Sequence, residues 1–189
     1  MTASLPQSHH DYTFAEYLTL ERDSEIKHEF DAGEILAMSG GTARHSALAM
    51  NVGFALRGAR PDGCTVFQSD MRVRIVATGR ATYPDVSMVC GPIEYDAEDT
   101  AHTTITNPVL IVEVLSVTTE KGDRGNKWMH YQRIPSLQEY VLVGQYSRVE
   151  IFRRTPSGTW EYFDVEEGSV NLATGPTLDL AMLYADLPV

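Results

Sequence analysis

Glu113 is a carboxylate in the middle of an apolar run, PVLIVEVLS, whose β-branched and aliphatic residues read as a strand buried on both faces. An ionised carboxylate in such a layer either takes up a proton or finds a cation. Asp85 stands at the start of a second strand, Tyr83 to Cys90, in which Pro84 suits the first position and not the middle. The loop between the two runs has the length that lets them pair. If they pair, both carboxylates converge on one divalent cation, and hard oxygen ligands favour Mg²⁺ or Mn²⁺. The carbonyl of Val114 is a candidate third ligand. An ion so held activates water and stabilises charge on a scissile phosphate, while a nearby ammonium orients the nucleophile or stabilises the transition state. Lys127, on the segment that returns from the Glu113 strand, is the candidate ammonium. Two plainer readings stay open: Glu113 as one half of a buried ion pair with no metal, and Lys127 as an ordinary i,i+4 partner of Asp123.

Several elements must position these groups. Thr13-Phe14-Ala15-Glu16 has the form of a capping box ahead of a short helix. His28 to Met38 reads as a hairpin around Asp31-Ala32-Gly33, with Gly33 supplying the positive φ. Thr42 caps a helix to about Arg57 with Leu48, Val52, Ala55 and Ala59 on one face, which should lie on a sheet. Cys64 to Val76 turns to period two, so Arg72 and Arg74 fall on a wet face; with Arg80 they alternatively line a phosphate groove. The turn-rich stretch Gly91 to Asn107 reads as a surface excursion. Thr118 to Asp123 then leads into a helix with Asp123, Lys127 and Tyr131 on one face, which Ile134-Pro135-Ser136 ends. Glu139 to Val143, Arg148 to Arg153 and Trp160 to Val165 follow as antiparallel strands, and a last helix begins at Asp179. His45 either touches the site or is solvated, and solvation is the plainer reading.

A chain of 189 residues, 43% hydrophobic, is expected to form one domain over 1–189, with residues 1–11 a flexible lead-in. No apolar run reaches the ~20 residues of a membrane helix, and the N-terminus lacks a signal pattern, so a soluble, cytoplasmic protein is expected. Cys64 and Cys90 have no zinc-like spacing, suggest no disulfide framework and read as small buried residues. The net charge of -11 argues against broad, charge-driven affinity for nucleic acid.

Pro84-Asp85 followed by Glu113-Val114-Leu115 is similar to the PD-(D/E)XK signature of restriction-endonuclease-like nucleases, with Leu115 standing where that signature has lysine. Within that superfamily the chain most closely resembles the bacterial Uma family of restriction-endonuclease-like proteins. The likeness runs from Thr13–Leu18 and the His28–Glu34 hairpin through Tyr83–Val86 and Val112–Ser116 to Asp123–Lys127 and Glu139-Tyr140. It implies an α/β fold with a curved mixed sheet flanked by helices, and a site of Asp85, Glu113 and Lys127, the lysine having moved to the following helix. Glu29 falls on the family's hairpin glutamate and is implied to contact the site or its metal. The implied activity is Mg²⁺- or Mn²⁺-dependent hydrolysis of DNA, and a two-strand cut suggests a homodimer. The alternative is a catalytically silent nuclease-fold module acting through oligomerisation or protein binding.

Overall fold

The computed structural model describes residues 11–116 and 120–188; the flexible lead-in expected over 1–11 falls outside it except for Asp11, as do Thr118 and Thr119 of the expected linker. Its elements, in chain order, are α1 (Phe14–Asp23), β1 (His28–Asp31), β2 (Glu34–Ala37), α2 (Ala43–Ala59), β3 (Cys64–Gln68), β4 (Arg72–Ile75), β5 (Arg80–Thr82), β6 (Val86–Cys90), β7 (Thr104–Ile105), β8 (Leu110–Val114), a π-helical segment (Gly122–Lys127) running into α3 (Trp128–Tyr131), β9 (Glu139–Val143), β10 (Val149–Arg154), β11 (Trp160–Val165), β12 (Ser169–Asn171), β13 (Thr177–Asp179) and α4 (Leu180–Leu183). A mixed six-stranded sheet in the order β11-β10-β9-β8-β6-β3 carries the site, and a five-stranded sheet, β2-β1-β5-β4-β7, flanks it.

Period-two alternation along β8 divides the core. Leu110, Val112 and Val114 join Leu48, Val52 and Leu56 of α2 on one face, whereas Ile111 and Leu115 join Tyr131, Leu137 and Tyr140 on the other. Both groups sit on one strand, so its backbone is shielded from water on each side. Parallel pairing of β8 with β9 and antiparallel pairing with β6 then hold it centrally.

Local signals are realised closely at the N-terminal end. Thr13 and Glu16 complete the capping box. Ala32 and Gly33 turn the hairpin at φ of 50° and 96°, the left-handed values a two-residue hairpin turn needs. α2 begins after Thr42 as expected, but its buried stripe is Leu48, Val52 and Leu56. Ala59 is exposed at the last turn, because the larger Leu56 fills the space against the sheet.

Three expectations are corrected. The run Cys64–Val76 is two strands in different sheets, broken at Ser69-Asp70. Its arginines do not face water: Arg72 is buried, donating to Thr104 Oγ1 at 2.8 Å and Tyr83 Oη at 3.0 Å, and Arg74 stacks 3.6 Å from the Phe14 ring. Hydroxyl acceptors and aromatic faces make those burials tolerable. Cys64 and Cys90 are cross-strand partners of β3 and β6 and form a disulfide. Disulfides persist in oxidising surroundings, so this pairing and a cytosolic setting pull in opposite directions. The C-terminal helix, α4, starts after its cap Asp179 as expected and buries Leu180 and Leu183; it is a single turn preceded by the β12–β13 hairpin. Among the described residues no helix is long and apolar enough to cross a membrane.

Candidate active site

β6 and β8 pair antiparallel with Val86 opposite Val112, so one further step along the ladder sets Asp85 opposite Glu113. The two carboxylates thus meet where β6 begins. Asp85 Oδ2 accepts the backbone N–H of Val114 at 2.7 Å, which fixes the carboxylate against the strand that carries its partner. Glu113 is buried. Its Oε1 accepts from Lys127 Nζ at 2.9 Å and from Tyr131 Oη at 2.8 Å. Burial pushes its carboxyl up to about 8 against the pull of the Lys127 charge, with Asp85 and Asp123 adding to the rise.

Lys127 arrives from the helix after β8 and not from β8 itself. Leu115, at the position where the nuclease signature has lysine, is packed with Tyr131, Ile134 and Leu142, an apolar place in which an ammonium would lack partners. The Gly122–Lys127 segment is wound wider than an α-helix, a form common at functional sites. It turns both Asp123 and Lys127 inward, with Lys127 Nζ 3.0 Å from Asp123 Oδ1, 2.9 Å from Glu113 Oε1 and 3.6 Å from Glu29 Oε1. The i,i+4 pair with Asp123 is therefore real, but it is part of the site. Burial lowers the tendency of Lys127 to hold its proton, and the three surrounding carboxylates more than reverse this, leaving it charged well above its ordinary range.

Glu29 is brought in from β1. Thr82 and Arg80 of β5 hold it, Arg80 Nη2 at 2.9 Å, while Arg80 Nη1 reaches Asp31 at 2.8 Å. Burial raises the Glu29 carboxyl, but Lys127, Thr82 and Arg80 together bring it below its usual value. Arg80 is thus buried structural support, neither wet nor lining a phosphate groove. Asp85, Glu113, Asp123 and Glu29 face one small neighbourhood in which Lys127 and a shared Arg80 are the fixed cations. Once Glu113 is ionised, the cluster carries more negative than positive charge.

His45 is the residue that sequence reasoning misplaced. It lies in the first turn of α2, mostly shielded, with Nε2 3.3 Å from Asp85 Oδ2. The hydrogen bond to Asp85 raises its pKa above the usual histidine value against a lowering by burial, and the Val114 backbone adds to the rise. A lone histidine near a helix start carries no spacing signal that separates this place from a solvated one. The Ser39-Gly40-Gly41 loop sits beside it: a Cβ on Gly41 would come within 2.7 Å of His45 Nδ1, so this glycine is what lets the ring lie there.

Asp85, Glu113, Val114, Asp123, Lys127 and His45 line a cleft of about 80 Å³. Past His45 and Asp85 it meets a broader groove of about 810 Å³ between α2 and β3, bordered by Met50, Phe54 and Phe67. Among the described residues, no three His, Cys, Asp or Glu side chains gather closely enough to enclose an ion by themselves. The donor set nevertheless suits a hard divalent cation: two carboxylates and a main-chain carbonyl on one cleft, with excess negative charge around them.

The residues 14–185 match the family model described as "Uma2: Putative restriction endonuclease". Two proteins of Synechocystis sp. (strain ATCC 27184 / PCC 6803 / Kazusa) are similar: uncharacterized protein slr1290, 38% identical over 77% of this chain and 75% of its own, and uncharacterized protein sll1609, 36% identical over 78% and 84%. The fold is shared with a crystal structure from Anabaena variabilis ATCC 29413 described as "a putative nuclease belonging to DUF820", at a TM-score of 0.69 and 19% identity, covering 92% of this chain and 98% of that one. With the family model spanning α1 to the end of α4, the chain belongs to the Uma2 family of putative restriction endonucleases.

Proposed function

We propose that this protein is a Mg²⁺- or Mn²⁺-dependent nuclease that hydrolyses phosphodiester bonds in DNA, with Asp85, Glu113 and the Val114 carbonyl as the cation's ligands. The observation that carries this reading is the crowding of carboxylates in the cleft, where burial together with the Asp85 and Asp123 charges drives Glu113 up to about 8 although an ammonium sits 2.9 Å away. A divalent cation supplies the missing positive charge, activates water and stabilises charge on the phosphate. The chain's own groups do the rest. The Val114 N–H orients Asp85 and Tyr131 orients Glu113. Lys127, kept charged by its three carboxylates, stabilises negative charge developing on the phosphate oxygens. Glu29 acts through Lys127, holding the ammonium in place. A two-strand cut calls for two such sites, hence a homodimer on duplex DNA.

Plasmid and single-strand cleavage with Mg²⁺, with Mn²⁺ and with chelator tests this directly. Cation-dependent cleavage that disappears in Asp85→Ala and Glu113→Ala is expected; cleavage surviving both substitutions contradicts the site. The exposed Met50 and Phe54 on α2, 72% and 79% accessible, favour a second reading, a silent module acting through protein contact. That reading gains if no substrate is cut and Phe54→Asp changes the sedimentation of the protein.

A further inference from the structure

We propose that the groove between α2 and β3 seats an unpaired nucleobase beside the scissile phosphate, so that single-stranded or locally unpaired DNA is engaged in preference to an intact duplex. This rests on the DNA-cleaving reading above and names the form of substrate its site takes. The groove is continuous with the cleft, since Asp85, His45 and Tyr83 border both. A phosphate held at Asp85 thus has its neighbouring nucleoside at the groove's mouth. The volume of about 810 Å³ lies within the range of about 300–1,000 Å³ that small ligands occupy.

Three features of the lining fit a base and not a duplex backbone. The first is depth. α2 turns Ser46, Ala49 and Gly53 toward the groove at i, i+3 and i+7, and within 4 Å a Cβ on Gly53 would meet only Val86 Cγ2, at 3.9 Å. A glycine inside a helix weakens it, and a side chain would fit among the neighbours here, so what the glycine preserves is open space. The second is the apolar sides, Met50 and Phe54 from α2 and Phe67 from β3, with Phe54 79% exposed. Aromatic faces stack bases of any identity. The third is charge. In a chain of net charge -11, the groove's lining has one carboxylate, Asp85, against Arg57 and Lys27. Lys27 is engaged by Asp70 and the Ser69 carbonyl, whereas Arg57 is exposed about one turn beyond Phe54. So few cations suit one flanking phosphate; tracking both strands of a duplex calls for a longer basic surface. A paired base enters only after leaving its stack, at a cost that a single strand or a mismatch largely avoids.

Fluorescence anisotropy of the full chain in Mn²⁺ tests this, with phosphorothioate-linked probes that resist cutting. The probes are a short single-stranded oligodeoxynucleotide, the same strand with abasic sites, and its duplex. The single strand should bind roughly 10-fold more tightly than either of the others. Phe54→Ala should remove that advantage without weakening the duplex, and Gly53→Leu, which fills the floor, should do the same. Phe54 lies outside the core, so its variant decides the matter even if Gly53→Leu fails to fold. Equal binding of all three probes, or an advantage untouched by Phe54→Ala, overturns the proposal; if Asp85-dependent cleavage is then still seen, the nuclease reading stands without it. A Phe54-dependent preference for unpaired bases in a protein that cuts nothing supports the groove and removes the nuclease reading. If no probe binds and Phe54→Asp alters sedimentation, the groove is a contact between copies and the proposal fails.

Discussion

Glu113 and Glu139 stand on neighbouring parallel strands, both inside the protein, and they live in opposite circumstances. Glu139 is completely buried and well supplied. Arg153 Nε reaches it at 2.8 Å, the N–H groups of Ala173 and Thr174 at 3.0 and 3.1 Å, and Thr174 Oγ1 at 3.0 Å. Glu113 has Lys127 and Tyr131 on one oxygen, shares the ammonium with Asp123 and Glu29, and has Asp85 as a like-charged neighbour. It also borders a cleft, whereas Glu139 ties the β12–β13 hairpin region to the sheet. A buried carboxylate surrounded by donors fastens a fold; one short of positive charge beside an opening is where the proposed cation would add its charge.

If that contrast is right, the two glutamates should respond to substitution in opposite ways. The largest effect on stability belongs to Glu139→Ala, which strands Arg153 and two main-chain donors; urea unfolding should show a loss of about 3–5 kcal/mol. The largest effect on activity belongs to Glu113→Gln, in which cation-dependent cleavage should fall by roughly 10²–10³-fold in a protein that still folds. A Glu113→Gln variant that unfolds as Glu139→Ala does would break the comparison.

Stability against pH sharpens it. The folded Glu113 carboxyl sits at about 8, above its ordinary 4.5. The folded protein therefore holds a proton that the unfolded chain has released, and this contribution is complete below about pH 4.5 and lost as pH rises through about 8. Without divalent cations, thermal melts of the parent should fall over that window relative to Glu113→Gln. Equal slopes for the two proteins would contradict the assignment. The smallest effect expected is that of Thr174→Val, which takes one hydrogen bond from Glu139 and should cost about 1 kcal/mol with no change in cleavage.

The parts of this arrangement that were legible in the sequence are those written in local patterns. Thr13 and Glu16 declare a helix start, Ala32-Gly33 a hairpin turn, and β9 runs from Glu139 to Val143 as its pattern predicts. The Asp85–Glu113 pair was readable because a charge inside an apolar strand has few uses. What was not legible depends on partners far along the chain. Alternating arginines read as a wet face until Thr104, Tyr83 and Phe14 close over them. Cys64 and Cys90 are 26 residues apart, and only the β3–β6 register brings them together. β5 is three residues long, too short for any period to show, yet it carries the Arg80 and Thr82 that hold Glu29. His45 gave no signal because the group that explains it, Asp85, comes from another element.

In the proposed function, the cleft around Glu113 takes up a divalent ion that would supply the positive charge it is short of. Calorimetric titration of the chelator-treated protein with Mn²⁺ at pH 6.5 and at pH 8.5, in buffers of different ionisation enthalpy, measures this most directly. One ion per chain should bind with release of protons, more tightly at pH 8.5, and binding should be lost in Asp85→Ala and kept in Thr174→Val. Absence of binding, or binding indifferent to both pH and Asp85, would contradict the account.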